Sequence, residues 1–109
     1  MTGTRVLLAL FAVIMATGCS PRTSRDQSGP SGVFLFLRHC AGCHPDGKNI
    51  IYPAKDLRQM TMTANGISRQ EDIMAVMRNP GRGMPRFDRT VIPDDEAGRI
   101  ALYIMKTFR

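Results

Sequence analysis

No tryptophan occurs in the chain, and cysteine occurs only three times in 109 residues. The part of the chain that reads as globular, 78 residues from Gly32 to Arg109 without a tryptophan, lies in the size range where a hydrophobic core alone is marginal. No alternating apolar and polar run suggests a strand, so nothing in the pattern supplies a sheet. Long hydrophobic runs are also missing. The longest, from Val6 to Ala16, is about eleven residues, short of the ~20 that cross a hydrocarbon core. Acidic residues are few, nine against fifteen lysines and arginines, for a formal net charge of +6.

What the N-terminus does hold reads as an export signal over residues 1–18: Arg5, the apolar run, then the small residues Thr17 and Gly18. Ala16-Thr17-Gly18-Cys19 resembles the lipobox of bacterial lipoproteins, which implies lipidation of Cys19 as the mature N-terminus and anchorage on the periplasmic side of a membrane. The same small residues also fit ordinary cleavage, which would leave a soluble periplasmic protein. From Ser20 to Ser31, seven of twelve residues are Ser, Pro or Gly, so residues 19–31 read as a flexible tether spanning roughly 20 Å. Without Arg5 the mature chain carries fourteen basic and nine acidic residues, a formal charge of +5. Such a surface favours acidic partners.

Residues 32–109 are therefore the one globular domain, and it contains only Cys40 and Cys43. A disulfide between them closes too short a loop to stabilise much. Cys40-Ala41-Gly42-Cys43-His44 is instead the C-x-x-C-H pattern of c-type haem attachment. Two thiols one helical turn apart each add to a vinyl group of one porphyrin, and the next residue, His44, projects toward the iron. A thioredoxin-like site needs strand and helix alternation, and a structural zinc site needs a fourth ligand. The only other histidine, His39, reads as a solvated neighbour. One covalent haem c, with two propionates, would bring the charge to about +3.

Six methionines follow the signal: Met60, Met62, Met74, Met77, Met84 and Met105. Most suit irregular apolar gaps in a core. Met84 differs, because Asn79-Pro80-Gly81-Arg82-Gly83-Met84-Pro85-Arg86-Phe87 forbids regular helix and lets a loop approach a haem face. Met60 and Met62, in a short and poorly defined segment, are its rivals. Here the chain resembles the class I cytochromes c, most closely the small photosynthetic and respiratory group. Gly32 and Phe36 match the first helix, residues 49–57 the loop after the haem motif, and Gly83-Met84-Pro85-Arg86-Phe87 the distal-ligand loop. Pro93-Asp94-Asp95-Glu96, with Ile100, Leu102, Tyr103 and Ile104, matches the last helix, Tyr103 standing where it crosses the first. The resemblance implies the all-α cytochrome c fold, three to four helices around one covalent haem, with His44 and Met84 on the iron. Pro80 and the arginines beside the methionine loop depart from the group's usual pattern.

The residues alone give the same helices. Ser68-Arg69-Gln70-Glu71 reads as a capping box opening a helix with Ile73, Val76 and Met77 on one face, ended by Asn79-Pro80. Ala97, Ile100, Ala101, Ile104 and Phe108 form the stripe of a terminal helix after an acidic first turn. Asp56 is expected to cap a short helix from Leu57, stopped at Asn65-Gly66. Leu35, Ile51, Leu57, Ile67, Ile73, Val76 and Phe87 are the candidate haem contacts. Pro53 lies in a loop whose carbonyls suit the second nitrogen of His44, or simply stiffens a turn. Tyr52, Lys55 and Arg58 are candidates to meet the propionates.

The function these features imply is single-electron transfer by a monomeric carrier, not an enzyme, between redox proteins with acidic docking surfaces and without a nucleic-acid partner. The competing reading is a haem-based sensor or peroxidase-like domain with an open sixth coordination site. A free carrier and a fixed subunit of a larger oxidase or reductase share the same chemistry.

Overall fold

The computed structural model describes Gly18 and residues 28–109, so Cys19 and most of the expected signal and tether lie outside the described residues. Four helices are present: α1 (Gly32–His39), α2 (Gln59–Ala64), α3 (Gln70–Arg78) and α4 (Asp94–Thr107), with single 3-10 turns at Pro45–Gly47 and Pro53–Lys55. No strand occurs among the described residues, as the pattern requires.

Helix α1 begins at Gly32 with Ser31 as its N-cap. Ser31 Oγ accepts from the Phe34 amide at 3.3 Å, and Arg38 and His39 occupy the last turn, where the helix dipole favours positive charge. Leu35 and Phe36 are buried, while Val33, Phe34 and Leu37 face outward. Helix α4 opens on Pro93 and three acidic residues and buries Ala97, Ile100, Ala101 and Ile104 of the stripe read from the sequence, while Phe108, its fifth position, is the half-buried C-cap just past the helix end.

Gly32 lets α1 and α4 meet. A methyl group there would run into the Arg99 carbonyl and stand 3.0 Å from Tyr103 Cβ. The contact continues through three rings: Phe36 lies 5.2 Å from Tyr103 and 5.4 Å from Phe108, between centroids. Gly32→Ala is therefore expected to lower the stability of the holoprotein by about 1–3 kcal/mol, through overpacking against backbone. Guanidinium denaturation checks this, and an unchanged midpoint would mean that the helices part freely at this crossing.

Helix α3 packs on α4, and Gln70 Nε2 donates to the Gly98 carbonyl at 3.0 Å. Its capping box is displaced from the one expected. Asp72, not Glu71, accepts from the Ser68 and Arg69 amides at 3.1 and 2.9 Å, because the helix starts at Gln70 with Arg69 as its N-cap. The bond from the Arg69 guanidinium, helped by those two amides, holds the Asp72 carboxyl below the usual carboxylate range. That stabilisation is present above the ordinary carboxylate pKa and is lost as the pH falls through the lowered one.

Helix α2 also begins later than expected. Asp56 accepts from the Arg58 amide at 3.1 Å, forming a turn just ahead of a helix that starts at Gln59. Gly66, with φ +77°, stops it as expected.

Candidate functional site

The haem-motif segment continues from α1 as one further turn. The His44 and Cys43 amides donate to the Cys40 carbonyl at 2.9 and 3.2 Å, which brings both thiols and the imidazole to one cavity of about 330 Å³. The two thiols are unbridged. Burial pushes the Cys40 thiol up to about 11, in the opposite direction from the lowered values of reactive cysteines. No cluster of three His, Cys, Asp or Glu side chains suited to a metal ion occurs among the described residues.

Pro45-Asp46-Gly47 then reverses the chain. Asp46 and Gly47 take φ of +52° and +75°, and the Phe108 ring fills the space a Gly47 side chain would need, 2.5 Å from the Cβ position. The reversal returns Lys48 to His44, whose Nδ1 lies 2.9 Å from the Lys48 carbonyl. A carbonyl only accepts, so Nδ1 carries the proton and Nε2 keeps its lone pair for a metal. The acceptor therefore comes from Lys48 and not from the Pro53 loop. The turn signal Pro-Asp-Gly stood in the sequence, but its consequence for His44 depends on left-handed backbone at two successive residues.

Asn49, the first residue of the segment matched to the loop after the haem motif, organises that segment through bonds that the resemblance does not give. Its Oδ1 accepts from the Ile51 and Tyr52 amides at 3.0 and 2.8 Å, and its Nδ2 donates to the Lys55 carbonyl at 3.0 Å. Tyr52 and Lys55 line the cavity mouth, the ammonium standing 5.7 Å from the ring centroid. Arg58 does not line it.

Met84 lines the same cavity and is half-buried. Gly83 before it has φ +87°, and a side chain there would stand 2.8 Å from the Tyr52 ring, so the glycine lets the two loops close together. Among the rival methionines, Met60 is 84% exposed and points away, whereas Met62 and Met77 are buried in the cavity wall. Ile51, Leu57, Ile67, Ile73, Val76 and Phe87 also line the cavity, but Leu35 does not. It fills the core instead, since α1 is apolar on both faces and its periodicity does not say which face meets the cavity. His39 is another correction: it is half-buried on the cavity wall, its ring edge-on to Phe87 at 6.1 Å.

These residues fit a haem. Two thiols and an imidazole line the cavity, aliphatic side chains supply an apolar lining, and a tyrosine and a lysine at the mouth suit acidic substituents. A family model described as cytochrome c oxidase, cbb3-type, subunit III matches residues 27–104. The chain belongs to the class I cytochromes c. Cytochrome c6 of Leptolyngbya boryana is 36% identical over 75 residues, covering 69% of this chain and 87% of that protein. A cytochrome c6-like protein of Nostoc sp. is 29% identical over 103 residues, covering 94% and 89%. OmcF, the outer-membrane cytochrome F of Geobacter sulfurreducens, superposes with a TM-score of 0.71 at 44% identity, covering 72% of this chain and 100% of that one. This cytochrome accordingly binds one haem c covalently through Cys40 and Cys43 and has a monohaem electron-transfer role.

Proposed function

We propose that this cytochrome is an exported electron carrier whose haem iron is held by His44 Nε2 and Met84 Sδ. The observation that carries this reading is one cavity lined by both thiols, by an imidazole whose tautomer is fixed, and by the methionine of a Gly/Pro loop. The haem supplies the Fe(II)/Fe(III) couple. Cys40 and Cys43 hold it, Lys48 orients His44, the apolar walls keep water from it, and Met84 occupies the position an incoming ligand would need. A potentiometric titration of the holoprotein should give a single one-electron transition that millimolar imidazole leaves unchanged. A transition displaced by imidazole, or peroxide turnover at the rate of a haem with an open site, would favour the sensor or peroxidase-like reading.

The anchor belongs to the same proposal. The lipobox-like sequence ends in Cys19, and a similar structure is that of an outer-membrane cytochrome. Among the described residues no helix is long and apolar enough to cross a membrane. Mass spectrometry of the mature N-terminus should find acyl chains on Cys19. An unmodified Cys19 in detergent-free periplasmic extract would leave a soluble protein.

Electron transfer to an acidic partner is expected to slow on the order of tenfold as ionic strength rises from low to physiological. Exposed Lys48, Arg82 and Arg86 lie on segments that form the cavity, with Lys55 at its mouth. Arg89, beyond the methionine loop, is paired with Asp94 at 2.8 Å and contributes less. Stopped-flow rates that stay flat or rise with salt would remove the steering role.

A further inference from the structure

The loop carrying Met84 has little to hold it in place. It leaves α3 at Asn79, contains Pro80, Gly81, Gly83 and Pro85, and rejoins helix at Asp94. Among the described residues no hydrogen bond ties residues 80–86 to another segment of the protein. Besides the packing of Gly83 against Tyr52 and of Met84 against the core, the position of Met84 is set from the ends of the loop.

One side chain gathers both ends. Arg78, the last residue of α3, donates from Nη1 to the Phe87 carbonyl at 3.0 Å and to the Ile92 carbonyl at 2.8 Å. Its Nη2 donates to Asp94 Oδ1 at 2.7 Å, and Arg89 Nε holds the other oxygen of that carboxylate at 2.8 Å. The Phe87 amide meanwhile donates to the Met77 carbonyl at 2.9 Å. Phe87, three residues after the methionine, is thus fastened through both its N–H and its C=O to consecutive residues of α3. The Arg78 side chain is only 16% exposed, and its Nε is buried without a partner. Leaving one buried donor unmatched is costly, so the guanidinium is held there by its other three bonds. Two carbonyls and a carboxylate together require the planar fork of arginine, which a lysine ammonium does not reproduce.

We propose that Arg78 is a positioning residue for the distal loop, closing its neck so that Met84 stays over the cavity and small ligands are kept from the sixth coordination position. This rests on Met84 being the axial ligand. Opening the neck frees the loop to swing, and an exogenous ligand then competes with the thioether at less cost.

The test is an optical titration of the oxidised holoprotein with imidazole, made alongside the sulfur-to-iron charge-transfer band. Arg78→Met is expected to bind imidazole at least about tenfold more tightly than wild type and to weaken the band, with Arg78→Lys intermediate. Arg99→Met is the control, since Arg99 is also largely buried and ion-paired, to Asp95 at 2.8 Å, but lies away from the loop. It should lower the denaturation midpoint and leave imidazole affinity within about twofold of wild type. If Arg78→Met does not accumulate, Arg78→Lys and Asp94→Asn carry the test, each with a smaller rise in affinity. Arg78 variants that lose stability yet keep wild-type imidazole affinity and an intact band would reduce Arg78 to a structural brace and overturn the inference. A wild type with no band would overturn the Met84 reading itself, and this inference with it.

Discussion

Replacing Met84 with alanine is expected to abolish the sulfur-to-iron charge-transfer band of the oxidised protein and to open the iron to imidazole and cyanide. The potential should fall by roughly 0.1–0.3 V, a fraction of the ~0.8 V over which axial ligands set haem potentials. The reasoning is positional. Of the methionines in the globular domain, Met84 alone lies on a loop built from glycine and proline beside the cavity that holds Cys40, Cys43 and His44. Met62 and Met77 reach the same cavity from helices whose backbone is committed to hydrogen bonds and whose side chains are buried. Met62→Ala and Met77→Ala should therefore lower stability by about 2–5 kcal/mol as cavity mutations and leave the band in place. If Met62→Ala or Met77→Ala removed the band while Met84→Ala kept it, the ligand would be misassigned.

The second large effect concerns the fold. A Cys40→Ser/Cys43→Ser double variant is expected to lose covalent haem and to be largely unfolded by circular dichroism and hydrogen exchange. A core of this size supplies no more than about 3–5 kcal/mol, and here many of its side chains line a cavity that a porphyrin would fill. Haem binding to the folded state alone shifts the equilibrium by mass action, and a covalent bond makes the effective concentration very high. Acidic acetone extracts haem from the variant but not from wild type if attachment is covalent. A double variant that remained folded with native helicity would show that α1, α3 and α4 suffice without the cofactor.

The parts of this molecule legible in its sequence are those whose physics is local. Cys40, Cys43 and His44 stand on one turn because their spacing is that of a turn, and the stripe from Ala97 to Ile104 is a helical period that the packing on α1 and α3 preserves. Gly32 and Tyr103 are legible only through resemblance, and they meet at the crossing of α1 with α4. What escaped depends on the path of the chain between such elements. The Lys48 carbonyl reaches His44 through a left-handed Asp46-Gly47 pair, and Arg78 reaches Phe87, Ile92 and Asp94 across as many as sixteen positions. Glu71 and Asp72 are adjacent acids, and a one-residue change in where α3 begins decides which of them caps it. Leu35 sits on a helix apolar on two sides, so burial alone does not distinguish core from cavity wall.

The central claim, a haem closed by His44 and Met84 and therefore built for electron transfer, meets its most direct test in one spectrum. The purified wild-type holoprotein is oxidised and its near-red absorption recorded before and after imidazole is added. A charge-transfer band that is present at the outset and persists in millimolar imidazole is the predicted result. A spectrum without the band, shifting at once as imidazole binds, would contradict it.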